Sequence, residues 1–196
     1  MPTIPEIFQR VLPVLSKPEF LDGSLARPGL PFYVCPFDAS QQREADAMIG
    51  NLQSQLESRG VSVLTVDVFR LMVERMKEND DLEFDLEDEK NNTRTEFLEH
   101  LQGILDIKEE IAPAISSRIA DASPSVLFLT GIGAAFPVVR AHSLLQNLES
   151  VVKIPLVLFF PGAYIQVPGS GATLSLFGEL PGDGYYRAYN LLDIQA

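Results

Sequence analysis

The sequence predicts an α/β fold: a single three-layer α/β/α domain on a mostly parallel sheet, Rossmann-like or P-loop-like in outline but lacking a Walker A motif. Three observations carry this expectation. Short apolar runs recur at 32–35, 61–66, 126–129 and 156–160. Amphipathic segments with helical spacing separate them. The third run, Val126 to Leu129, is apolar at every position, as expected of a strand covered on both faces. Strands alternating with helices imply a parallel sheet between two helical layers, joined by right-handed crossovers.

Each element has its own justification. Thr3 and Glu6 have capping-box spacing, and Ile4, Ile7, Phe8, Val11 and Leu12 follow at helical intervals. Pro13 and Pro18 should break this first helix early. Phe32–Cys35 is the first strand. Asp38 with Gln41 caps a helix whose stripe is Ala45, Met48, Ile49, Leu52 and Leu56, and Gly60 suits its stop. Val61–Val66 is a second strand, rich in β-branched residues, and a helix from about 67 to 77 follows. Thr93 with Glu96 and Asp106 with Glu109 cap two further helices; Pro113 should bend the second. After the strand Val126–Leu129, Thr130-Gly131-Ile132-Gly133 turns sharply. Pro137 suits the first turn of a helix over about 137–150, because that position needs no donor. Leu156–Phe160 is the fourth strand. A glycine-rich loop over 161–172 and two short segments, Thr173–Phe177 and Tyr185–Leu191, complete an edge.

Composition sets bounds on function. A chain of 196 residues reads as one domain over 1–196, with an acidic insertion at about 78–92. Glu78–Lys90 holds eight acids and one lysine, the composition of a solvated loop. The formal net charge is −12. Nucleic-acid binding needs basic patches that displace counterions from phosphates, so no direct nucleic-acid partner is expected. The N-terminus lacks a basic region before a long apolar core, so no secretory signal is read there. The apolar run Ile154–Phe160 is far short of the roughly 20 residues that span a bilayer. These features place the chain in the cytoplasm, away from membranes. The lone Cys35 excludes an internal disulfide and a cysteine-based zinc cage.

The chemistry-bearing residues gather at expected strand ends. Gly131, Gly133 and Phe136 occupy the G-x-G-x-x-G positions. A dinucleotide fingerprint wants a small third residue and an acid about 20 residues on. Phe136 is large and no such acid ends the next strand, which favours a plain tight turn. No G-x-x-x-x-G-K-[ST] exists, so no P-loop cradle is expected. Asp38 and Asp67 follow the first two strands, where carboxylates hold Mg²⁺ or, more simply, cap helices. Arg140 and His142 fall near the third strand's end; a ligand role stands beside a structural one. Cys35 with His142 has the elements of a nucleophile–base pair, but a cysteine inside an apolar strand is more often a small buried hydrophobe. Tyr185, Arg187 and Tyr189 share one face at period two, with residue types common in interface hot spots.

Five segments carry a resemblance. PFYVCPFD (31–38), TGIGAAFPVVRAH (130–142), FFPGAY (159–164), LFGEL (176–180) and YYRAYNL (185–191) are similar, in that order, to the BrxB family of bacterial BREX phage-defence systems. The resemblance implies a component of such a defence system and supplies no catalytic motif or cofactor. With the negative charge, it implies a non-catalytic interaction subunit whose partners are other BREX proteins, first among them the phosphatase-like PglZ. Gly131, Gly133, Arg140, His142 and Asp38 remain the ligand candidates, and Tyr185, Arg187 and Tyr189 the partner candidates. The alternative function is a small nucleotide- or phosphate-binding module or enzyme using the glycine-rich strand ends.

Overall fold

A computed structural model describes residues 1–26, 30–78, 89, 92–167, 171–180 and 187–195. Most of the acidic segment and Tyr185 lie outside the described residues. The elements run α1 (Ile4–Leu15), α2 (Pro18–Leu21), β1 (Phe32–Phe37), α3 (Gln42–Glu57), β2 (Val63–Asp67), α4 (Val68–Glu78) and α5 (Arg94–Ile104). A π turn (Ile107–Ile111) leads into α6 (Ala112–Ala122), β3 (Val126–Thr130), α7 (Ile132–Ala135), α8 (Ala141–Leu148), β4 (Leu156–Val167), β5 (Gly171–Leu176) and β6 (Tyr189–Asn190).

Among the described residues the strands form one sheet in the order β2-β3-β4-β1-β6, with β5 paired to β4 off this path. Every pairing along the path is parallel: Val63–Asp67 against Val126–Thr130, Leu127–Leu129 against Leu156–Leu158, and Phe32–Phe37 against Leu156–Pro161. The expected α/β architecture is therefore present: of the four predicted strands, β3, β4 and β1 lie at its centre and β2 at one edge.

Alternation along these strands divides the core in two. Phe32, Val34, Leu127, Leu129, Leu156, Leu158 and Phe160 point to one face, where α4, α6 and α8 contribute Leu71, Ile115 and Leu145. Tyr33, Cys35, Phe37, Val126, Phe128, Val157 and Phe159 point to the other, covered by α1 and α3 through Ile7, Val11, Leu52 and Leu56. Phe128 and Phe159 meet edge to face at 5.1 Å between ring centroids. Each such side chain contributes about 1.5–3 kcal/mol through burial alone. Surface ion pairs add less: Arg75 joins α4 to Glu110 of the π turn at 2.7 Å, both groups near 30% exposed, where a pair is worth about 0–1 kcal/mol.

Several boundaries differ from the sequence reading. Pro13 lies inside α1 rather than ending it, and Pro18 opens α2. Pro13 is exposed and sits in the last turn, so its missing N–H costs only one bond near the helix end. Pro113 falls in the first turn of α6, where no donor is needed, and so starts that helix instead of bending it. The helix expected over about 137–150 is shorter, running from Ala141 to Leu148. One turn, α7, follows Gly131 directly, a cis Phe136–Pro137 bond interrupts the chain, and α8 begins only at Ala141. The fourth strand does not stop at Phe160. It continues to Val167, because Gly162–Val167 finds an antiparallel partner in β5. The first part of the expected glycine-rich loop is thus strand.

Removing one ring of the aromatic pair tests the shared core. Phe128→Ala should lower unfolding free energy by about 3–5 kcal/mol, the usual cost of emptying a buried aromatic site, read from chemical denaturation midpoints.

Candidate functional site

Two connections of this sheet run in opposite directions. From β1 the chain passes through α3 to β2, at the far edge beyond β4 and β3. From β4 it passes through β5 to β6, on the other side of β1. These connections cross rather than diverge, and the carboxyl ends of β1, β4, β3 and β2 share one edge of the sheet, the edge where ligands gather in open α/β sheets. A cleft of about 450 Å³ lies there, lined by Phe37, Ala39, Gln42, Asp46, Ile49, Asp67, Thr130, Gly131, Gly133, Ala134, Phe159, Pro161 and Phe177.

Parallel register brings Asp67 beside Thr130. The Asp67 carboxylate caps α4, its Oδ1 accepting from the Arg70 backbone N–H at 2.9 Å. The turn after β3 is fitted to that carboxylate. Gly131 has φ +73°, and a Cβ there would stand 2.2 Å from Asp67 Oδ1. Glycine is required twice over, by backbone conformation and by this close approach. A Cβ at Gly133 would lie 2.9 Å from Pro161 and 3.2 Å from the Phe177 ring. The two sequence-flagged glycines therefore serve packing between strand ends, as the tight-turn reading expects.

Phe177 is the least expected lining residue. It follows β5 with φ +57°, a conformation rare for a bulky side chain. Its backbone N–H donates to the Pro161 carbonyl at 2.9 Å, and its side chain stays 45% exposed. Sequence reading noted LFGEL as a motif but not Phe177 as a site residue. The available signal was the Phe177-Gly178 pair, both left-handed, which marks a sharp turn rather than a strand. Asp46 was also missed, because nothing in a helical stripe shows which polar residue faces a distant strand end.

The other candidates lie apart. Asp38 is exposed and spends its carboxylate on Ser40, accepting from the backbone N–H at 2.9 Å and the hydroxyl at 2.7 Å. That is the capping role. Arg140 and His142 do not line the cleft. Arg140 is the exposed N-cap of α8, 6.0 Å from the Phe136 ring centroid, and His142 is half-buried in its first turn. Arg187 is exposed. Tyr189 is half-buried against the α1 face, 6.2 Å from Tyr33 between ring centroids. Among the described residues there is no cluster of three or more metal-ligating His, Cys, Asp or Glu side chains, and no helix is long and apolar enough to cross a membrane.

Cys35 and His142 cannot meet. Cys35 is fully buried on the α1 and α3 face, whereas α8 packs its leucines on the opposite face. Burial also pushes the Cys35 thiol up, from 9.0 to about 12, away from the thiolate a nucleophile needs. Its folded value exceeds its unfolded one, so the stability from keeping it neutral is complete below about pH 9 and is lost as pH rises toward 12. Tyr33 moves in the same direction, from 10.0 to about 12, chiefly through burial. Urea midpoints should therefore fall above pH 9, and Cys35→Ala should flatten the first part of that fall.

The Gly131–Asp67 fit is open to a direct check. Gly131→Ala should cost about 1–3 kcal/mol in thermal unfolding, the scale of a strained special position. Asp67→Ala by itself should cost about 1 kcal/mol through the lost α4 cap, and the double variant should lose less than the sum of the two, because the clash is gone while the left-handed backbone stays.

The chain matches the family model described as BREX protein BrxB over residues 64–191. It is 28% identical over 198 residues to a BREX protein BrxB of Bacillus cereus (strain H3081.97), covering 98% of this chain and 100% of that protein. It is 26% identical over 179 residues to a BREX protein BrxB of Escherichia coli O9:H4 (strain HS), covering 91% of this chain and 86% of that one. No solved structure matches. The matched family segment contains the strand-end residues Asp67, Thr130, Gly131, Gly133, Pro161 and Phe177, and four of the five resembling segments, 130–142, 159–164, 176–180 and 185–191; the first, 31–38, lies before it. This chain belongs to the BrxB family of BREX proteins.

Proposed function

We propose that the chain is a non-catalytic interaction subunit of a BREX anti-phage defence system, acting by binding other proteins of that system. The observation that carries this reading is the chemistry of the strand-end cleft. Where a nucleotide-binding sheet offers free backbone N–H groups and a lysine to phosphate, this cleft offers the carboxylates of Asp46 and Asp67. Its glycines are packed against Asp67, Pro161 and Phe177. Two carboxylates and a net charge of −12 repel a polyphosphate rather than hold one. The same charge disfavours duplex DNA as a direct partner of this chain.

The PglZ protein is the partner to test first. Arg187, exposed beside the buried Ala188, is a further residue for a partner to contact; Tyr185, which shares its period-two face, lies outside the described residues. Co-expression with the neighbouring BREX proteins should leave at least one of them bound through affinity purification and size exclusion, and calorimetry with Mg-ATP should give no saturable heat. Micromolar ATP affinity, or a chain that elutes free of every BREX protein, would overturn the proposal.

A further inference from the structure

We propose that the strand-end cleft is a receptor for an arginine side chain presented by a protein partner. This rests on the interaction-subunit reading and assigns that reading a site and a ligand chemistry. Four observations converge. The cleft holds about 450 Å³ and has apolar walls in Phe37, Ile49, Phe159 and Pro161, suited to the aliphatic stem of a long cationic side chain. It carries two carboxylates from different elements, Asp46 on α3 and Asp67 at the end of β2, and among its described lining residues no lysine or arginine. Among the described residues Asp46 accepts only from the neutral amide of Gln42, at 2.8 Å, which does not offset its charge. Asp67 Oδ2 lies 3.9 Å from Nε of Arg70, whose side chain is 82% exposed, a loose surface pair that an incoming guanidinium displaces.

The fourth observation is Phe177. The residue lines the cleft and is 45% exposed although its backbone occupies the left-handed region. The tie to the Pro161 carbonyl at 2.9 Å keeps the turn in that conformation. Strained positions of this kind persist where the surroundings over-determine them, and they cluster at ligand clamps. An aromatic face beside two carboxylates matches a planar guanidinium, which stacks on rings and pairs with carboxylates through its fork of donors. A lysine ammonium makes neither contact as well, and a phosphate is repelled by both acids.

The test uses the full chain, isotope-labelled, titrated with Ac-Gly-Arg-Gly-NH2 and followed by backbone NMR. The arginine peptide should shift the amides of Thr130, Gly131 and Phe177 saturably, and the citrulline peptide, isosteric and neutral, should not. Asp67→Asn, which keeps an oxygen to cap α4, and Phe177→Gly, which relieves the left-handed strain, should each weaken binding at least tenfold without lowering the thermal melt. Equal shifts from the citrulline peptide, shifts centred elsewhere, or unchanged affinity in both variants would overturn the inference. Spermidine binding more tightly than the peptide would also overturn it, in favour of a free small cation. In co-purification, Asp46→Asn with Asp67→Asn, and separately Phe177→Gly, should lose the BREX protein that the unaltered chain retains. If the variants retain it equally, this inference alone fails; if the unaltered chain retains none, the interaction-subunit reading fails as well.

Discussion

The rest of the structure depends on the double coverage of three adjacent strands. Along β3, β4 and β1 the parallel-paired residues are almost all buried, on both sides of the pleat. A strand with apolar side chains on both faces cannot rest at a surface, so a helical layer must lie above and another below. The helices meet that demand with apolar stripes: α1 and α3 on one face, α4, α6 and α8 on the other. Burial outweighs every polar contribution here, since the ion pairs are at the surface and worth little each.

Parallel pairing has a second consequence. It brings all carboxyl ends of the central strands to one edge, so the residues that end them become neighbours though far apart in sequence. Asp67 and Gly131 are the clearest pair. A carboxylate that caps α4 also stands where any side chain on Gly131 would go. The turn after β3 is therefore fitted to an acid on the adjacent strand, and that close approach is one reason position 131 holds glycine.

The extension of β4 separates this protein from a plain five-stranded parallel sheet. Beyond Pro161 the strand leaves its parallel neighbours and turns into an antiparallel ribbon with β5. A Cβ on Gly162 would lie 2.2 Å from the Ser175 carbonyl oxygen, so glycine is what lets the two strands close up there. The ribbon returns Phe177 to the cleft, and Tyr164 on the same ribbon donates to the Ala188 carbonyl at 2.9 Å, tying in the C-terminal segment. One hairpin thus links the strand-end cleft to the edge strand β6.

Fold class, the strands β1 to β4 and most helices were legible in the sequence. They rest on local patterns, apolar alternation and capping residues such as Thr93 with Glu96, whose physics acts within a few residues. The acidic balance of the chain was equally plain in composition. What tertiary structure decided is everything that needs a distant partner. Pro137 looked like a helix start, but that helix begins only at Ala141, and its N-terminal residues Arg140 and His142 do not line the cleft. Cys35 and His142 seemed a possible pair until the sheet came between them. Residues 161–167 read as loop because glycine and proline are poor strand formers, yet β5 supplied the hydrogen bonds that make them strand. Asp46 and Phe177 became cleft residues only through register and the path of the ribbon. Such placement is set by pairing energies across the sheet, which no local window of sequence contains.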